Sequence, residues 1–303
     1  MIHGIINIYK ERGYTSHDVV GKLRGILKQK KIGHTGTLDP EAEGVLPVCL
    51  GKATKLCDLL TDKDKTYRAV LLLGKMTDTQ DLTGTVLAES PVTCTEEEAK
   101  AAVLSFVGEY DQIPPMYSAL KVNGQKLCDL ARAGKEVERK ARRVTIHEIR
   151  IVSVELPRIT MEVTCSKGTY IRTLCQDIGE KLGCGGCMES LLRTRVSRFK
   201  LEDAWKLEEV EALVRAENLM SAILPIDGMF EEAQEAVVKD EGYKWLINGN
   251  PLPKDVLRVA VEPADGELVR VYDGDGRFYA LYRFEKEKQK FSLVKMFFDR
   301  EDG

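Results

Sequence analysis

Asp39 is a single aspartate set in a run of backbone breakers, GHTGTLDPEAEGVLP from Gly33 to Pro47. Glycine admits positive φ or the close approach of a ligand, and Pro40 disfavours the α region for the residue before it. The carboxylate is therefore expected on a turning, non-helical backbone, with the apolar run Val45 to Leu50 as a strand anchoring it. An acid on a loop fixed by a rigid scaffold suits catalysis. The same string also fits an Asp-Pro turn that merely opens a strand. Elsewhere, Tyr67 stands near the start of an apolar run and Arg172 at the start of a helical stretch. Taken alone, Tyr67 fits a core aromatic and Arg172 a surface arginine. Gly44 to Lys52 ends like a phosphate-binding loop, but its glycine spacing is too long and Ala53 follows the lysine where Ser or Thr is required. A nucleoside-triphosphate site is excluded there.

The elements that must hold these residues read as follows. Gly4 to Tyr9 is a short strand; Ser16 is expected to cap a helix running to about Lys31, with Val19, Val20, Leu23, Ile26 and Leu27 on one face. Thr66 to Gly74 reads as a buried strand, and Thr95 with Glu98 forms a capping box for a helix to Phe106. Pro114 and Pro115 interrupt regular structure. Val144 to Val154 and Ile159 to Cys165 read as two strands, and Leu207 to Ile223 as two short acidic helices. Pro225 and Gly228 mark a boundary, beyond which the chain is strand-rich, with Asp273-Gly274 and Asp275-Gly276 as a hairpin signal.

Composition narrows the partners. A length of 303 residues suits one large domain and a small one. No run approaches the ~18 apolar residues of a membrane span, and the first ten residues lack the features of a secretory leader, so the expected compartment is cytoplasmic. Eight cysteines are too sparse for a disulfide scaffold, and Cys184-x-x-Cys187 has no second ligand pair at zinc spacing. The net charge of −3 hides an asymmetry: Lys10 to Lys31 and Arg132 to Arg150 each hold seven Lys or Arg. Arg193, Arg195, Arg198 and Lys200 form a third cluster, against an acidic stretch from Glu202 to Glu241. Three basic clusters on a near-neutral protein suit a polyanion on one face.

The stretch GHTGTLDPEAEGVLPVCLGKATK, with TYRAVLLLG, IPPMYSALKVNGQKL and SKGTYIRTLCQDIGEKLG, resembles the tRNA pseudouridine synthase B (TruB) family from Gly4 to about Lys200. The resemblance implies an α+β pseudouridine-synthase fold, a mixed, largely antiparallel sheet flanked by helices, over residues 1–228. Over 229–303, INGNPLP and the strands after it resemble a PUA domain, a small β-barrel-like RNA-binding module. The implied activity is isomerisation of uridine 55 in the T-loop of tRNA, which needs no cofactor, ATP or metal. Asp39 would be the nucleophile, Tyr67 would stack on the base and act in proton transfer, and Arg172 would keep the carboxylate charged. His34, Tyr170, Leu191 as a lid, Lys10, Lys121 and Arg132 would contact the RNA or the extruded base. Lys10-Glu11-Arg12-Gly13 replaces the family's Lys-Pro-x-Gly, and Glu41 and Glu43 replace leucine and threonine. The expected partner is the tRNA T-arm, for a monomer with no obligatory protein partner. Two alternatives stay open: an RNA-binding or tRNA-chaperone protein without turnover, and a guide-RNA-dependent subunit of the same fold.

Overall fold

The computed structural model describes residues 1–298, organised on two large sheets with two further two-stranded ribbons. In β1 (Gly4–Lys10) the inward positions include Ile6, Ile8 and Lys10, all fully buried. Helix α1 (Ser16–Leu27) is capped by Thr15 and not by Ser16: Asp18 N–H donates to the Thr15 hydroxyl at 3.0 Å, and Thr15 N–H donates to the Asp18 carboxylate at 2.8 Å. The helix stops at Leu27, short of Lys31, because Lys28 takes the left-handed conformation (φ 49). Next come β2 (Ile32–His34), β3 (Glu43–Leu50), α2 (Cys57–Thr61) and β4 (Lys65–Leu73). Asp39 lies in the loop between β2 and β3.

Helix α3 (Glu96–Leu104) carries the expected capping box, and β5 (Gly108–Gln112) leads into an insertion holding α4 (Leu127–Arg132). The long β6 (Arg142–Glu155) returns as β7 (Arg158–Cys165); α5 (Ile171–Lys181) and β8 (Gly186–Val196) follow. The first sheet is completed by β9 (Phe199–Lys200) and, after α6 (Leu207–Arg215), by β10 (Ile223–Leu224). The second acidic helix expected before Ile223 is a 3-10 turn, Leu219–Ala222.

This ten-stranded sheet runs β10-β1-β3-β8-β4-β7-β6-β5, with β2 on β3 and β9 on β8. Every pairing is antiparallel except β3 with β8, which is parallel at Leu192–Glu43 and Arg193–Gly44. Gly44 makes that contact possible, since its φ is +105 and a Cβ there would lie 2.2 Å from the Arg193 carbonyl oxygen. Any side chain would push β8 off β3. Two apolar layers cover the sheet: α1 and α6 lie against Ile6, Ile8, Leu46 and Val48, and α3 and α5 against Leu71, Met161 and Val163.

The second sheet starts at β11 (Gln234–Val238), followed by α7 (Asp240–Ile247), β12 (Leu252–Pro253), β13 (Leu257–Val259), β14 (Leu268–Tyr272), β15 (Phe278–Glu285) and β16 (Lys290–Met296). Its order is β12-β16-β15-β14-β11-β13. The two edge strands, β12 and β13, are joined only by the 3-10 turn Lys254–Val256, so the sheet curls until its edges nearly meet. That barrel-like closure protects both edges. The β14–β15 hairpin turns at the predicted Asp-Gly pairs. Residues 299–303, the end of the expected RNA-binding module, lie outside the described residues. No described helix is long and apolar enough to cross a membrane.

Candidate active site

The loop from Thr35 to Ala42 is pinned on all sides. The Thr35 N–H and hydroxyl both donate to the Pro47 carbonyl at 3.2 Å. Leu38 N–H donates to the Ser16 hydroxyl at 2.9 Å, so the first residue of α1 holds the loop one position before Asp39. The Pro40 carbonyl accepts from Gly13 N–H at 2.9 Å and from the Lys10 ammonium at 3.1 Å. The substituted Glu11-Arg12 pair therefore leaves the Lys10 and Gly13 contacts of this corner in place. Glu41 is engaged by Arg12 at 2.6 Å and Glu43 by the Tyr9 hydroxyl at 3.1 Å, so neither faces Asp39 as an acid/base partner.

Arg172, in the first turn of α5, meets the loop from the opposite side. Its Nε lies 3.0 Å from Asp39 Oδ2 and its Nη2 donates to Oδ1 at 3.4 Å. The arginine side chain is 6% exposed and the aspartate 40%, so a buried cation presents a reachable carboxylate. Nη1 donates to the Thr79 carbonyl at 3.0 Å, and Nη2 also to the Tyr117 carbonyl at 2.8 Å. A second carboxylate, Asp81, lies 3.8 Å from Nε and is itself held by the Thr79 hydroxyl at 2.7 Å. The guanidinium is thereby fixed at every edge, and the fork geometry of arginine matches the carboxylate it holds. Sequence reasoning missed Asp81, which reads as a turn residue in the polar segment MTDTQDLTG.

The pair opens into a cavity of about 590 Å³ lined by Asp39, Tyr67, Tyr170, Arg172, Leu191 and Arg193, among others. That volume lies in the range of small-ligand pockets. Tyr67 comes from β4, and burial pushes its phenol up, while the Arg193 guanidinium pulls the other way. Tyr170 is also pushed up by burial; its backbone N–H donates to Gln112 Oε1 at 2.7 Å and its carbonyl accepts from Gln112 Nε2 at 3.0 Å. Leu191, half-buried on β8, borders the cavity and packs on the core beneath.

The remaining expected contacts are elsewhere. His34 is half-buried on β2, accepts from Gly36 N–H at 3.3 Å, and is held below its ordinary value, chiefly by burial; it does not line the cavity. Lys121 and Arg132 are exposed on the insertion between β5 and β6. Lys10 requires a correction: it is fully buried, donates to the Glu11 and Pro40 carbonyls, and is pulled down to about 8, first by burial. It braces the Asp39 loop and presents no surface charge to a phosphate. Its place two residues after Ile8 on an alternating strand was the available signal. Arg193 likewise leaves the third basic cluster: it is 1% exposed, donates from Nε to the Val45 carbonyl at 2.7 Å, and faces the site.

The chain has relatives among known proteins. Residues 24–171 match the family model of the TruB family pseudouridylate synthase N-terminal domain, and residues 172–231 match the tRNA pseudouridylate synthase B C-terminal domain. The chain is similar to the tRNA pseudouridine synthase B of Lachnoclostridium phytofermentans, at 55% identity over 98% of this chain and 100% of that protein. It is similar to that of Alkaliphilus oremlandii at 47% identity, over 99% and 100% of the two chains. Among solved structures, a chain of a Cbf5-Nop10-Gar1 complex superposes with a TM-score of 0.73 at 28% identity, covering 99% of this chain and 86% of that one.

Proposed function

The chain belongs to the TruB family of pseudouridylate synthases, and from that premise we propose that Asp39 is the nucleophile with which it converts a uridine of tRNA to pseudouridine. The observation that carries the assignment is the Arg172–Asp39 pair, a cation buried beneath a carboxylate that faces the cavity. The reaction breaks the bond from uracil N1 to the ribose, turns the base and rejoins it through carbon 5. A carboxylate suffices as the nucleophile. Arg172, holding Asp39 through Nε and Nη2, keeps it aimed at the base. Tyr67 and Leu191 enclose the detached uracil, Tyr67 as stacking face and proton acceptor and Leu191 as lid. The target nucleotide must leave its stack, at about a few kcal/mol, and contacts to the folded RNA offset that cost.

The substrate we assign is the T-loop uridine at position 55. Residues 1–228 carry the chemistry, and 229–303 form an RNA-binding module. Lys121 and Arg132 on the insertion meet the phosphates, and His34 contacts an extruded nucleotide. The likeness to a chain from a multiprotein complex gives the guide-RNA-dependent reading its place; the full-length relatives bear the name tRNA pseudouridine synthase B, and our reading is an enzyme acting alone, as a monomer. The purified chain, incubated with an unmodified tRNA transcript and no other RNA or protein, is expected to yield pseudouridine at one T-loop position. Modification that appears only when a guide RNA and partner proteins are added would overturn the stand-alone reading.

A further inference from the structure

Among the described residues, no carboxylate pairs with the buried cation Arg193. Among the described residues its polar contacts are the Val45 carbonyl, from Nε at 2.7 Å, the Gly36 carbonyl, from Nη2 at 3.4 Å, and the Tyr67 hydroxyl beside it. Its strand neighbour across β8–β4 is Tyr67 itself, and both line the cavity. Two other buried cations, Lys10 on β1 and Lys65 on β4, lie near enough for Arg193 to weaken their charge. A buried charge that no carboxylate balances is costly. Replacing Arg193 by an apolar residue would relieve that cost unless the charge has work to do.

The work it can do is on Tyr67. A guanidinium offers donors and no acceptor. With Nε and Nη2 spent on carbonyls, Nη1 is the arm left for the phenol oxygen and the cavity. Resting on the functional reading above, we propose that Arg193 is the positioning residue for Tyr67, stabilising its ionised phenol so that it can accept the proton carbon 5 of the uracil must lose. In that step the C5–H bond breaks, its electron pair stays in the ring, and the proton passes to the phenolate. Nitrogen 1 takes a proton from solvent, so the proton count and oxidation state are unchanged. The other groups acting on the phenol are Asp39 from the loop and Cys165 from β7, both of which oppose ionisation. His34 on β2 is held below its ordinary value, chiefly by burial and then by the charges of His17 and Arg193, so it adds little positive charge. Arg193 is thus the group that favours the phenolate.

The test is single-turnover pseudouridine formation on an unmodified tRNA transcript from about pH 6 to about pH 9, for wild type, Arg193→Lys, Arg193→Met and Tyr67→Phe. The wild-type rate should rise with pH. In Arg193→Met it should fall about ten- to a thousandfold near neutrality, because an opposite charge at contact shifts a pKa by about one to three units. Its profile should move to higher pH with tRNA affinity unchanged, and Arg193→Lys should recover part of both. A merely structural role predicts a slower Arg193→Met with the wild-type pH profile, which would overturn the proposal. If the Arg193 variants do not fold, wild type and Tyr67→Phe decide: a wild-type rate that does not rise with pH, or that matches that of Tyr67→Phe, overturns it too. An inactive wild type would instead sink the functional reading beneath it.

Discussion

The site depends on a few side chains whose freedom has been removed by their neighbours. Arg172 is fixed by two carbonyls and two carboxylates, so the geometry it imposes on Asp39 needs the full fork. Lysine in its place keeps the charge but cannot reach those partners together. Arg172→Lys is expected to lower single-turnover pseudouridine formation about a hundredfold, the usual penalty for about 1 Å of misplacement, with tRNA affinity retained in a filter-binding assay. Asp39 stood out in its run of glycines and prolines, whereas Tyr67 and Arg172 read alone as a core aromatic and a surface arginine, and only the resemblance to the TruB family gave them a role. Arg193 and Asp81 were not legible. Arg193 shares a run with Arg195 and Arg198, and a bulge between positions 193 and 195 breaks the alternation that would have separated the inward arginine from the others. Asp81 acts through an arginine more than ninety residues away in sequence, and spacing cannot show that.

Among the elements, strand and helix positions followed from periodicity, with β4 and α3 found close to where apolar runs and the capping box put them. The parallel β3–β8 contact did not, since a pairing of strands about 150 residues apart leaves no local signal beyond one glycine. Helix α5 carries Arg172 at one end and a strained acid further along. Burial pushes the Asp177 carboxyl up to about 6 from 3.8, with Glu180 adding to it. A carboxyl raised on folding stabilises the folded state relative to neutral pH only where it is protonated. Its contribution is complete below 3.8 and lost as pH rises through about 6. Asp177→Asn should therefore stabilise the protein at pH 7 by about 1–2 kcal/mol. Chemical denaturation at several pH values should show the difference from wild type shrinking toward zero as pH falls below about 4.

The whole molecule joins its two sheets through a shared apolar core. Ile5, Val45 and Cys49 of the first sheet pack with Leu281 of the second and Phe297 just past its last strand, and Ile226, Met229 and Phe230 fill the joint. The boundary legible at Pro225 and Gly228 is thus a packed corner and not a free linker, which composition alone could not reveal. The exposed Arg142 and Lys167 line the cavity that opens to Asp39, as do Ser118, Ala119 and Leu120 at the start of the insertion that carries the exposed Lys121 and Arg132, and none of the acidic α6 segment lines it. A folded RNA engaging the insertion and the rim would therefore deliver one nucleotide to the carboxylate. The most direct test compares wild type with Asp39→Asn on an unmodified tRNA transcript, mapping pseudouridine and measuring affinity together. The variant is expected to form none while holding tRNA within roughly tenfold, ~1.4 kcal/mol; turnover near the wild-type rate would contradict the account.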